Sequence, residues 1–480
     1  MKDSTKQILL YTLFVVYIFY FIFNQYPNFA DDPGVGWHLR TGELISAQHR
    51  IPHEDPFLFY DSVRSWVSDQ WLSDVLLFQV YQSASWPVLY LLLTIIFLGT
   101  FLGVCYFGLR RRAYGAVAVY IGLLLATRLA AIHFILRPVL FSILFFAVLY
   151  FQLSSLKIRA VRRSDFLKFP LLFICWANMH PSFVLGLATF AVLVMQKKLQ
   201  IYLVLLFSLC ALLTVLNPYG MELHFSILQL ADSGFFMNLN SEWKAIEIGS
   251  SEFYISLLIA VCIFIGTLHS KAVKFLDFEF ANFLIFFALI FHSIRFLPYF
   301  AIAALLPFVQ SLDSIFYRLN KKFAAFSLPD LKLVHHLGIF AVLAVMLFPY
   351  GQEEGPSREL YPYACMETLN TFVSGPERYG VLAHPNMGGF ITFQSKAVGG
   401  VNFLQPYVDD RNTLIGEAIY KEFFAEMKPV ASVLSYIKRT KTSFLMLSKD
   451  SPLGQFLKEK KYFDQLDCRD EAILFDLRTN

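Results

Sequence analysis

Two arginines carry the strongest signal for phosphate chemistry in the sequence. Arg137 and Arg295 each adjoin a long apolar run and stand next to Pro138 and Phe296. A guanidinium group stays charged when partly desolvated and meets a phosphate with two parallel hydrogen bonds. For either residue alone, a long side chain anchoring a helix end is an equally good explanation. Arg128, inside a run, fits that second explanation better.

Histidines and a Glu-Trp pair mark further positions of the same kind. Histidine binds phosphate and metal ions, whereas a lone interfacial histidine more often only forms a hydrogen bond. The face of Trp243 could stack on a sugar ring that Glu242 orients, and a plain interfacial tryptophan is an equal alternative. The histidines at the ends of apolar runs are His38, His133, His180 and His292.

The composition predicts that these residues belong to an integral membrane protein. The chain of 480 residues is 56% hydrophobic and only 16% charged, whereas about a quarter of a soluble domain is charged. Its 52 Phe and 24 Tyr residues suit a bilayer interior flanked by aromatic belts. A net charge of +4 is small, so we expect membrane lipids and no nucleic acid as partners.

Basic residues determine the predicted orientation. With eleven apolar runs counted as spans, every short loop rich in Lys and Arg falls on the side of the N-terminus. Merging the two short runs that meet at 178–182 would break this agreement. We therefore expect a multi-pass protein of the plasma (inner) membrane with a cytoplasmic N-terminus. The polar segments then all emerge outside, which favours a shared site there.

The same reasoning predicts two domains. Residues 1–350 form a transmembrane helix bundle whose first outer loop is 25–86, and residues 351–480 lie outside the membrane. Within the first loop, helical spacing between Val67 and Phe78 indicates an amphipathic helix in the membrane interface. Spacing between Trp37 and Ile45 indicates a second, with Asp32 near its N-terminal end. A cap of that helix is therefore an alternative role for Asp32.

The first loop also contains motifs that resemble a known family. The segment 32–42 reads D-P-x-x-x-W-H-L-x-T-G, and P-x-x-D-P and W-x-x-x-x-W-L follow it. This order is similar to a bacterial branch of the GT-C glycosyltransferases, multi-span membrane enzymes that use lipid-linked sugars. The later matches, in the same order, are Leu136-Arg-Pro138, Trp176-Ala-Asn-Met-His180, Asn217-Pro-Tyr-Gly220, Glu242-Trp243, Arg295-Phe296, Gly388-Gly-Phe390 and Asp409-Asp-Arg411.

The resemblance implies a reaction and roles for these residues. A sugar would move from a polyprenyl-phosphate donor to a glycan, lipid or protein acceptor at the outer face, and a single displacement would invert the anomeric centre. Asp32 is then the expected base for the acceptor hydroxyl, with Asp31 as its substitute. The residues expected to hold the donor phosphate are Arg137, Arg295, His180 and His38, and those expected to contact substrate are Glu242 and Trp243.

The cofactor prediction is open. Many family members carry a second acidic residue where this chain has Gly34 and a second Trp where it has Gly36. The adjacent Asp31 could replace the missing acid, so a divalent metal ion held by Asp31 and Asp32 is the one cofactor that the sequence suggests, and metal dependence stays open.

The C-terminal region predicts a small α/β domain. Cys365 and Cys468 either pair in a disulfide or remain free thiols. Asp409-Asp-Arg411 is read as a charged turn in preference to an acceptor contact. No Gly-rich phosphate loop supports the use of nucleotide sugars. Strands are expected at 380–383, 390–394, 403–408, 443–447 and 472–477, and helices at 416–427, 431–439 and 452–461.

Two rival functions are compatible with these patterns. A transporter or lipid flippase would also need many spans, although such proteins usually show repeated halves and polar residues at mid-depth. A non-catalytic subunit that binds lipid or glycan for an envelope-assembly system would need the same outer surface.

Overall fold

A computed structural model describes most of the chain and divides it into two compact units. The described residues are 3–24, 29–60, 64–112, 114–231, 235, 241–270, 275, 277–319, 355–373, 377–398, 401–427, 430–469 and 471–478. The first unit comprises Met1–Phe29, Tyr90–Asn217 and Met237–Gln352, and the second comprises Ala30–Leu89, Pro218–Phe236 and Glu353–Asn480. The first outer loop therefore belongs to the same unit as the C-terminal region, whereas the sequence grouped it with the helix bundle.

Helices account for nearly all regular structure before residue 320. A π-helical turn, Gly99–Cys105, separates α3 from α4. The helices are α1 Asp3–Phe23, α2 Val35–Gln48, α3 Trp71–Leu98, α4 Tyr106–Arg110, α5 Ala116–Ala130, α6 Val139–Leu156, α7 Asp165–Met179, α8 Phe183–Gln196, α9 Ile201–Leu213, α10 Glu222–Ala231, α11 Ser251–Ser270, α12 Phe278–Ile290 and α13 Leu297–Leu319.

Several of these helices have the length and the apolar composition of membrane spans, so the chain is a multi-pass membrane protein. In the described ranges five helical segments are long and apolar enough to cross a membrane: Trp71–Arg110, Ala116–His133, Val139–Leu156, Ser251–Leu268 and Ile294–Leu319. Shorter apolar helices include Phe183–Gln196 and Ile201–Leu213. The count of eleven spans stays a prediction, and the predicted last run, 331–350, lies outside the described residues.

The two short runs around residue 180 form two separate helices. The backbone of His180 is extended (φ −166°, ψ 138°), which ends α7, and α8 begins at Phe183. The two-helix alternative is thus confirmed over one long kinked helix. The break leaves the side chains of 180–182 at a helix end instead of on a helical face.

The first unit is organised around α13. Its residues from Leu297 to Val309 are buried, and α5, α11 and α12 pack along it. Close packing of this kind, in place of a hydrophobic driving force, holds helices together in lipid. Arg295 lies in a 3-10 turn directly before α13, and Arg137 lies directly before α6, so both arginines occur at the ends of rigid elements.

Both predicted loop helices exist, with different surroundings. α2 is buried in the second unit from Val35 to Ile45 and packs on a C-terminal helix. Burial within protein therefore explains its apolar residues, and a position in the membrane interface stays a prediction. The other helix begins at Trp71 and continues to Leu98 through Ser85, whose φ of 61° interrupts the helical backbone.

The C-terminal region is a five-stranded mixed sheet covered by helices, which agrees with the predicted α/β domain. The strand order is β4-β1-β5-β7-β6, with β1 parallel to β4 and β5, and β7 antiparallel to β5 and β6. The elements are α14 Tyr363–Phe372, β1 Tyr379–Leu382, α15 Pro385–Gln394, β2 Ala397–Val398, β3 Val401–Asn402, β4 Leu404–Pro406, α16 Asn412–Ile415, α17 Glu417–Glu426, α18 Val430–Thr440, β5 Phe444–Ser448, α19 Pro452–Glu459, β6 Asp464–Leu466 and β7 Ala472–Asp476.

The strand predicted at 390–394 is wrong, because these residues belong to α15. Pro385 occupies the first turn of this helix and the His384 side chain caps it, both of which favour a helix start. A methyl group on Gly389 would lie 2.1 Å from the Pro33 carbonyl oxygen, and one on Gly36 would lie 1.9 Å from the Gly389 carbonyl oxygen. The glycines therefore permit the close contact between α15 and α2.

The sheet has an apolar core on each face. On one face Val381, Phe444 and Leu474 pack with α14 and α15, and on the other Leu445 and Phe475 pack with α17, α18 and α19. Cys365 and Cys468 form a disulfide across 103 residues in the first of these cores. Of the two alternatives for these cysteines, the structure has the bonded pair.

Candidate functional site

In the first unit, Glu242 lies between the two predicted arginines. Its Oε2 atom is 3.3 Å from Nη1 of Arg137 and 3.0 Å from Nη2 of Arg295. Burial alone would raise the pKa of Glu242, but the charges of Arg137 and Arg295 lower it to about 2. The carboxylate is therefore ionised at neutral pH, and the group of three has a net charge of one positive unit.

Local structure brings these three residues together. The Leu136 N–H donates to the Phe29 carbonyl at 2.8 Å. This bond holds the backbone next to Arg137, two residues before α6 begins. Ser293 links the other two segments, because its hydroxyl donates to the Glu242 carbonyl, 3.1 Å, and accepts from the Arg295 N–H, 3.3 Å. The motif residues from three distant segments thus meet at one place.

Trp243 completes one side of this cluster. The Arg295 guanidinium lies 4.2 Å from the centre of the Trp243 ring, a cation–π contact that fixes its orientation. Trp243 Nε1 is buried and has no hydrogen-bond partner among the described residues. Buried polar atoms are normally satisfied, so this N–H is an exception among the described residues.

Two histidines belong to the same neighbourhood. His133 is buried, and its Nδ1 has no hydrogen-bond partner in the ranges that the structure describes. In the turn between α7 and α8, burial and the charges of Arg295 and Arg137 lower the pKa of His180 to about 3. His180 is therefore neutral at pH 7, and a contact with phosphate would come from hydrogen bonding. The sequence analysis assigns a phosphate role to His38 and not to His133, because no matched motif contains His133.

The remaining predicted residues belong to the second unit, where Asp31 and Asp32 hold backbone turns. Asp32 is 8% exposed, and its Oδ1 accepts the Gly34 N–H at 2.8 Å, just before α2. Asp31 Oδ1 accepts the Ser357 N–H at 2.7 Å. The Asp32 bond closes the turn before α2 and is not a helix cap, because the residue that precedes the helix is Gly34 and no side chain caps it. A role for Asp32 in catalysis is a separate proposal.

His38 is paired and almost fully buried. Its Nδ1 lies 2.6 Å from Asp74 Oδ1, and the two side chains are 2% and 0% exposed. A short contact of this kind fixes the ring orientation. His38 therefore has a carboxylate partner within its own unit, whereas His180 Nδ1 contacts the Ser182 hydroxyl.

The charged turn Asp409-Asp-Arg411 is buried at Asp409 and Arg411, and Asp409 Oδ1 accepts the Arg411 N–H at 2.9 Å. Arg411 Nη1 lies 2.8 Å from Asp55 Oδ1, and its Nη2 lies 2.6 Å from Asp409 Oδ2. Burial by itself would lower the pKa of Arg411, but these two carboxylates raise it. Asp410 accepts the Trp37 indole N–H at 2.8 Å. The motif therefore ties the first outer loop to the C-terminal sheet.

One candidate base was missed by the sequence analysis. Asp69 is partly exposed, and the Gln70 amide donates to its Oδ1 at 3.3 Å. Desolvation of the carboxylate raises the pKa of Asp69 to about 6, near the range where a general base works well. No cation pairs with it in the described part of the chain. Asp69 falls within the helix predicted between Val67 and Phe78, and sequence carries no signal for a shifted pKa.

The predicted metal ligands do not fit a metal ion. Asp31 and Asp32 each use one oxygen on a backbone N–H. Within the described residues, no three His, Cys, Asp or Glu side chains lie together as they would around a metal.

Comparisons with known proteins give a fold and no family. No family model and no curated protein matches the sequence. Solved structures do match. The oligosaccharyltransferase AglB from Archaeoglobus fulgidus, in complex with an inhibitory peptide and a dolichol-phosphate, is 12% identical with a TM-score of 0.53. The fold is of the GT-C type.

Two further structures of the Archaeoglobus fulgidus oligosaccharyltransferase give the same result. The apo form is 12% identical with a TM-score of 0.51, and the complex with Zn and sulfate is 14% identical with a TM-score of 0.50. The alignments with the three structures cover 88% to 91% of this chain and 64% to 69% of theirs. This chain thus spans about two thirds of the length of those neighbours, and the GT-C-type likeness is one of fold.

Proposed function

We propose that this GT-C-type protein transfers a sugar from a polyprenyl-phosphate donor to a glycan, lipid or protein acceptor at the outer face of the plasma membrane. The observation that carries the proposal is the cationic cluster of Arg137, Arg295 and Glu242. Two guanidinium groups at helix ends suit a lipid phosphate whose chain lies in the bilayer. The ordered motifs support membership of the bacterial GT-C branch.

The donor phosphate would bind beside the two arginines. Trp243 Nε1 and His133 Nδ1 are buried without a partner among the described residues, so a bound phosphate or sugar hydroxyl could satisfy them. The net positive charge of the cluster would stabilise the phosphate as it leaves. The ring face of Trp243 is occupied by Arg295, so we assign sugar contact to Glu242 and the indole N–H.

The reaction would be a single displacement. The acceptor hydroxyl oxygen bonds to the anomeric carbon while the bond from that carbon to the phosphate oxygen breaks, and the hydroxyl proton passes to a carboxylate. Inversion of the anomeric centre follows. We propose Asp32 as this base on the strength of its motif, with Asp69 as the competing candidate because of its exposure and raised pKa.

One neighbour contains zinc and sulfate. Because Asp31 and Asp32, the predicted ligands of a divalent ion, do not fit a metal ion, no step of the proposed reaction is routed through one.

The proposed orientation places the cluster and the C-terminal sheet outside the cell membrane. A disulfide between Cys365 and Cys468 persists in oxidising compartments and rarely in the cytoplasm. The basic loops place the N-terminus inside. The dolichol-phosphate bound to the archaeal neighbour supports a lipid-phosphate donor for this chain as well.

Binding of dolichyl phosphate to the purified protein, followed by sugar transfer from polyprenyl-phosphate sugars to a panel of acceptors, tests the proposal. Arg137→Ala and Arg295→Ala should each weaken binding about tenfold or more, since a hydrogen bond to a charged group contributes roughly 1.5–3 kcal/mol. Arg128→Ala is the matched control, because Arg128 pairs with Glu252 at 2.9 Å. Binding that is equal in all three variants would refute the donor site.

The base is tested in the same assay. Asp32→Asn should abolish transfer while leaving dolichyl phosphate binding intact, and Asp31→Asn should retain transfer. Transfer that survives Asp32→Asn and is lost in Asp69→Asn would move the base to Asp69. Binding without transfer to any acceptor would favour a non-catalytic subunit, and movement of the lipid across a vesicle membrane would favour a flippase.

A further inference from the structure

A chain of hydroxyl groups, buried at Ser142 and Tyr299 and partly exposed at Ser182, ends on His180. The Trp176 indole N–H donates to Ser142 Oγ at 2.9 Å. Ser142 Oγ contacts the Tyr299 hydroxyl at 3.0 Å and also contacts Ser182 Oγ. Tyr299 donates to Ser182 Oγ at 3.0 Å, and Ser182 Oγ is 2.9 Å from His180 Nδ1. All five residues belong to the first unit, on α6, α7, the turn after α7, and α13.

The contacts of Ser182 favour one arrangement of hydrogens at His180. The Ser182 backbone N–H lies 3.2 Å from His180 Nδ1, as expected where Nδ1 offers its lone pair and carries no proton. In that arrangement the Ser182 hydroxyl donates its single hydrogen to the same nitrogen at 2.9 Å. Ser182 Oγ then accepts from the Tyr299 hydroxyl, in agreement with the direction of that bond.

This assignment selects one tautomer of His180. A neutral imidazole carries one N–H, and with Nδ1 unprotonated the hydrogen is on Nε2. His180 is partly exposed, and Nε2 has no hydrogen-bond partner among the described residues. Arg295, Arg137 and His133 lie close enough to act on the ring electrostatically. The cluster thus includes a neutral N–H donor, His180 Nε2, and the Ser182 contacts to Nδ1 on the opposite side of the ring fix its orientation.

We propose that Ser182, held by Ser142 and Tyr299, is a positioning residue that fixes His180 as a neutral Nε2–H donor to the phosphate of the lipid-linked donor. The inference rests on the proposed function and adds to it a specific hydrogen-bond geometry. The chemical consequence is that His180 donates a hydrogen bond to a phosphate oxygen without adding a positive charge beside Arg137 and Arg295, which already repel each other.

Replacement of His180 by its two amide analogues is the first test. The side-chain amide of Gln can place an N–H near the Nε2 position of the imidazole, whereas that of Asn reaches only the Nδ1 position. We expect His180→Gln to bind dolichyl phosphate within about threefold of the wild type. His180→Asn should bind about tenfold more weakly, which is the loss of one hydrogen bond of about 1.4 kcal/mol. If His180 had a purely structural role, we would not expect His180→Gln to bind dolichyl phosphate more tightly than His180→Asn.

Removal of one hydroxyl from the chain is the second test. Tyr299→Phe should weaken dolichyl phosphate binding and mix the two tautomers, which ¹⁵N chemical shifts of the histidine rings report directly. Tyr150→Phe is the matched control, since this buried hydroxyl donates to the Ala303 carbonyl at 2.7 Å in the same bundle. Ser182→Ala should act as Tyr299→Phe does, and thermal unfolding would identify any variant that fails to fold.

The outcomes separate this inference from the proposed function. Equal binding by the Gln and Asn variants, or an unchanged tautomer in Tyr299→Phe, would overturn the positioning role. If Arg137→Ala and Arg295→Ala still weaken binding in that case, the donor site itself stands. If those arginine variants have no effect, the proposed function fails first.

Discussion

At the scale of single residues, the carboxyl group of Asp69 makes stability depend on pH. Burial raises its pKa from 3.8 to about 6, so the folded protein holds this proton more tightly than the unfolded chain does. The corresponding stability is present below pH 3.8 and is lost as the pH rises through about 6. We expect the unfolding temperature to fall over that window and expect Asp69→Asn to remove this part of the dependence. Parallel pH profiles for both proteins would refute the assignment.

Arg411 gives a second residue-scale prediction, this time for stability alone. Its side chain is 2% exposed and pairs with Asp55 and Asp409. Removing one partner of a buried pair leaves an uncompensated charge and costs roughly 3–5 kcal/mol. Arg411→Met should therefore lower the unfolding temperature strongly. Arg439→Met is the control, because its pair with Glu422 is 53% and 51% exposed and contributes about 0–1 kcal/mol. A similar effect in both variants would contradict this account.

These residues also illustrate what sequence could and could not provide. Residue type, position at the ends of apolar runs and the motif resemblance together selected Arg137, Arg295, Glu242 and His180, which the structure brings together. The role of Arg411 was not accessible, because Asp55 lies 356 residues away in sequence and no local pattern pairs them. The shifted pKa of Asp69 depends on burial, which a single loop sequence does not encode.

At the scale of elements, the contact between α2 and α15 depends on two glycines. Gly389→Ala would place a methyl group 2.1 Å from the Pro33 carbonyl oxygen, so the helices would have to move apart. Overpacking of this kind costs typically about 1–3 kcal/mol. We expect a lower unfolding temperature for Gly389→Ala and little change for Gly99→Ala, since nothing lies within 4 Å of a methyl group there. Equal melting of the two variants would show that the contact is loose.

The same helix explains the main error of prediction. The β-branched and aromatic residues at 390–393 favour a strand by local propensity, but α15 owes its helical form to Pro385 at its start and to its packing against α2. That packing partner comes from residues about 350 positions earlier, so tertiary contact overrides propensity. By contrast, strands at 380–383, 443–447 and 472–477 were predicted well because they are buried and strongly apolar.

At the scale of the whole molecule, the division into two units changes how the motifs are understood. Motifs of the first loop and of the C-terminal region occur in one unit, where Trp37 donates to Asp410 and Arg411 pairs with Asp55. The motifs at 136–138, 176–180, 242–243 and 295–296 occur in the other unit, and Asn217-Pro-Tyr-Gly220 is divided between the two. The ordered set that resembled GT-C enzymes therefore separates into a first-loop group with carboxylates and a bundle group with cations.

The disulfide offers a test of orientation for the intact protein. If residues 351–480 lie outside the membrane, Cys365 and Cys468 are bonded in cells and become reactive only after a reductant acts from that side. The four remaining cysteines, among them the buried Cys105 and Cys210, belong to the first unit and provide the background. We expect a membrane-impermeant reductant to allow two additional maleimide-polymer labels on intact cells or spheroplasts, and expect none in Cys365→Ser/Cys468→Ser. In the chain-entropy view, closing a loop of about 100 residues contributes roughly 4–5 kcal/mol, so that double variant should also unfold at a distinctly lower temperature. Labelling of both thiols without any reductant, or only after the membrane is permeabilised, would place the domain in a reducing compartment and reverse the proposed orientation.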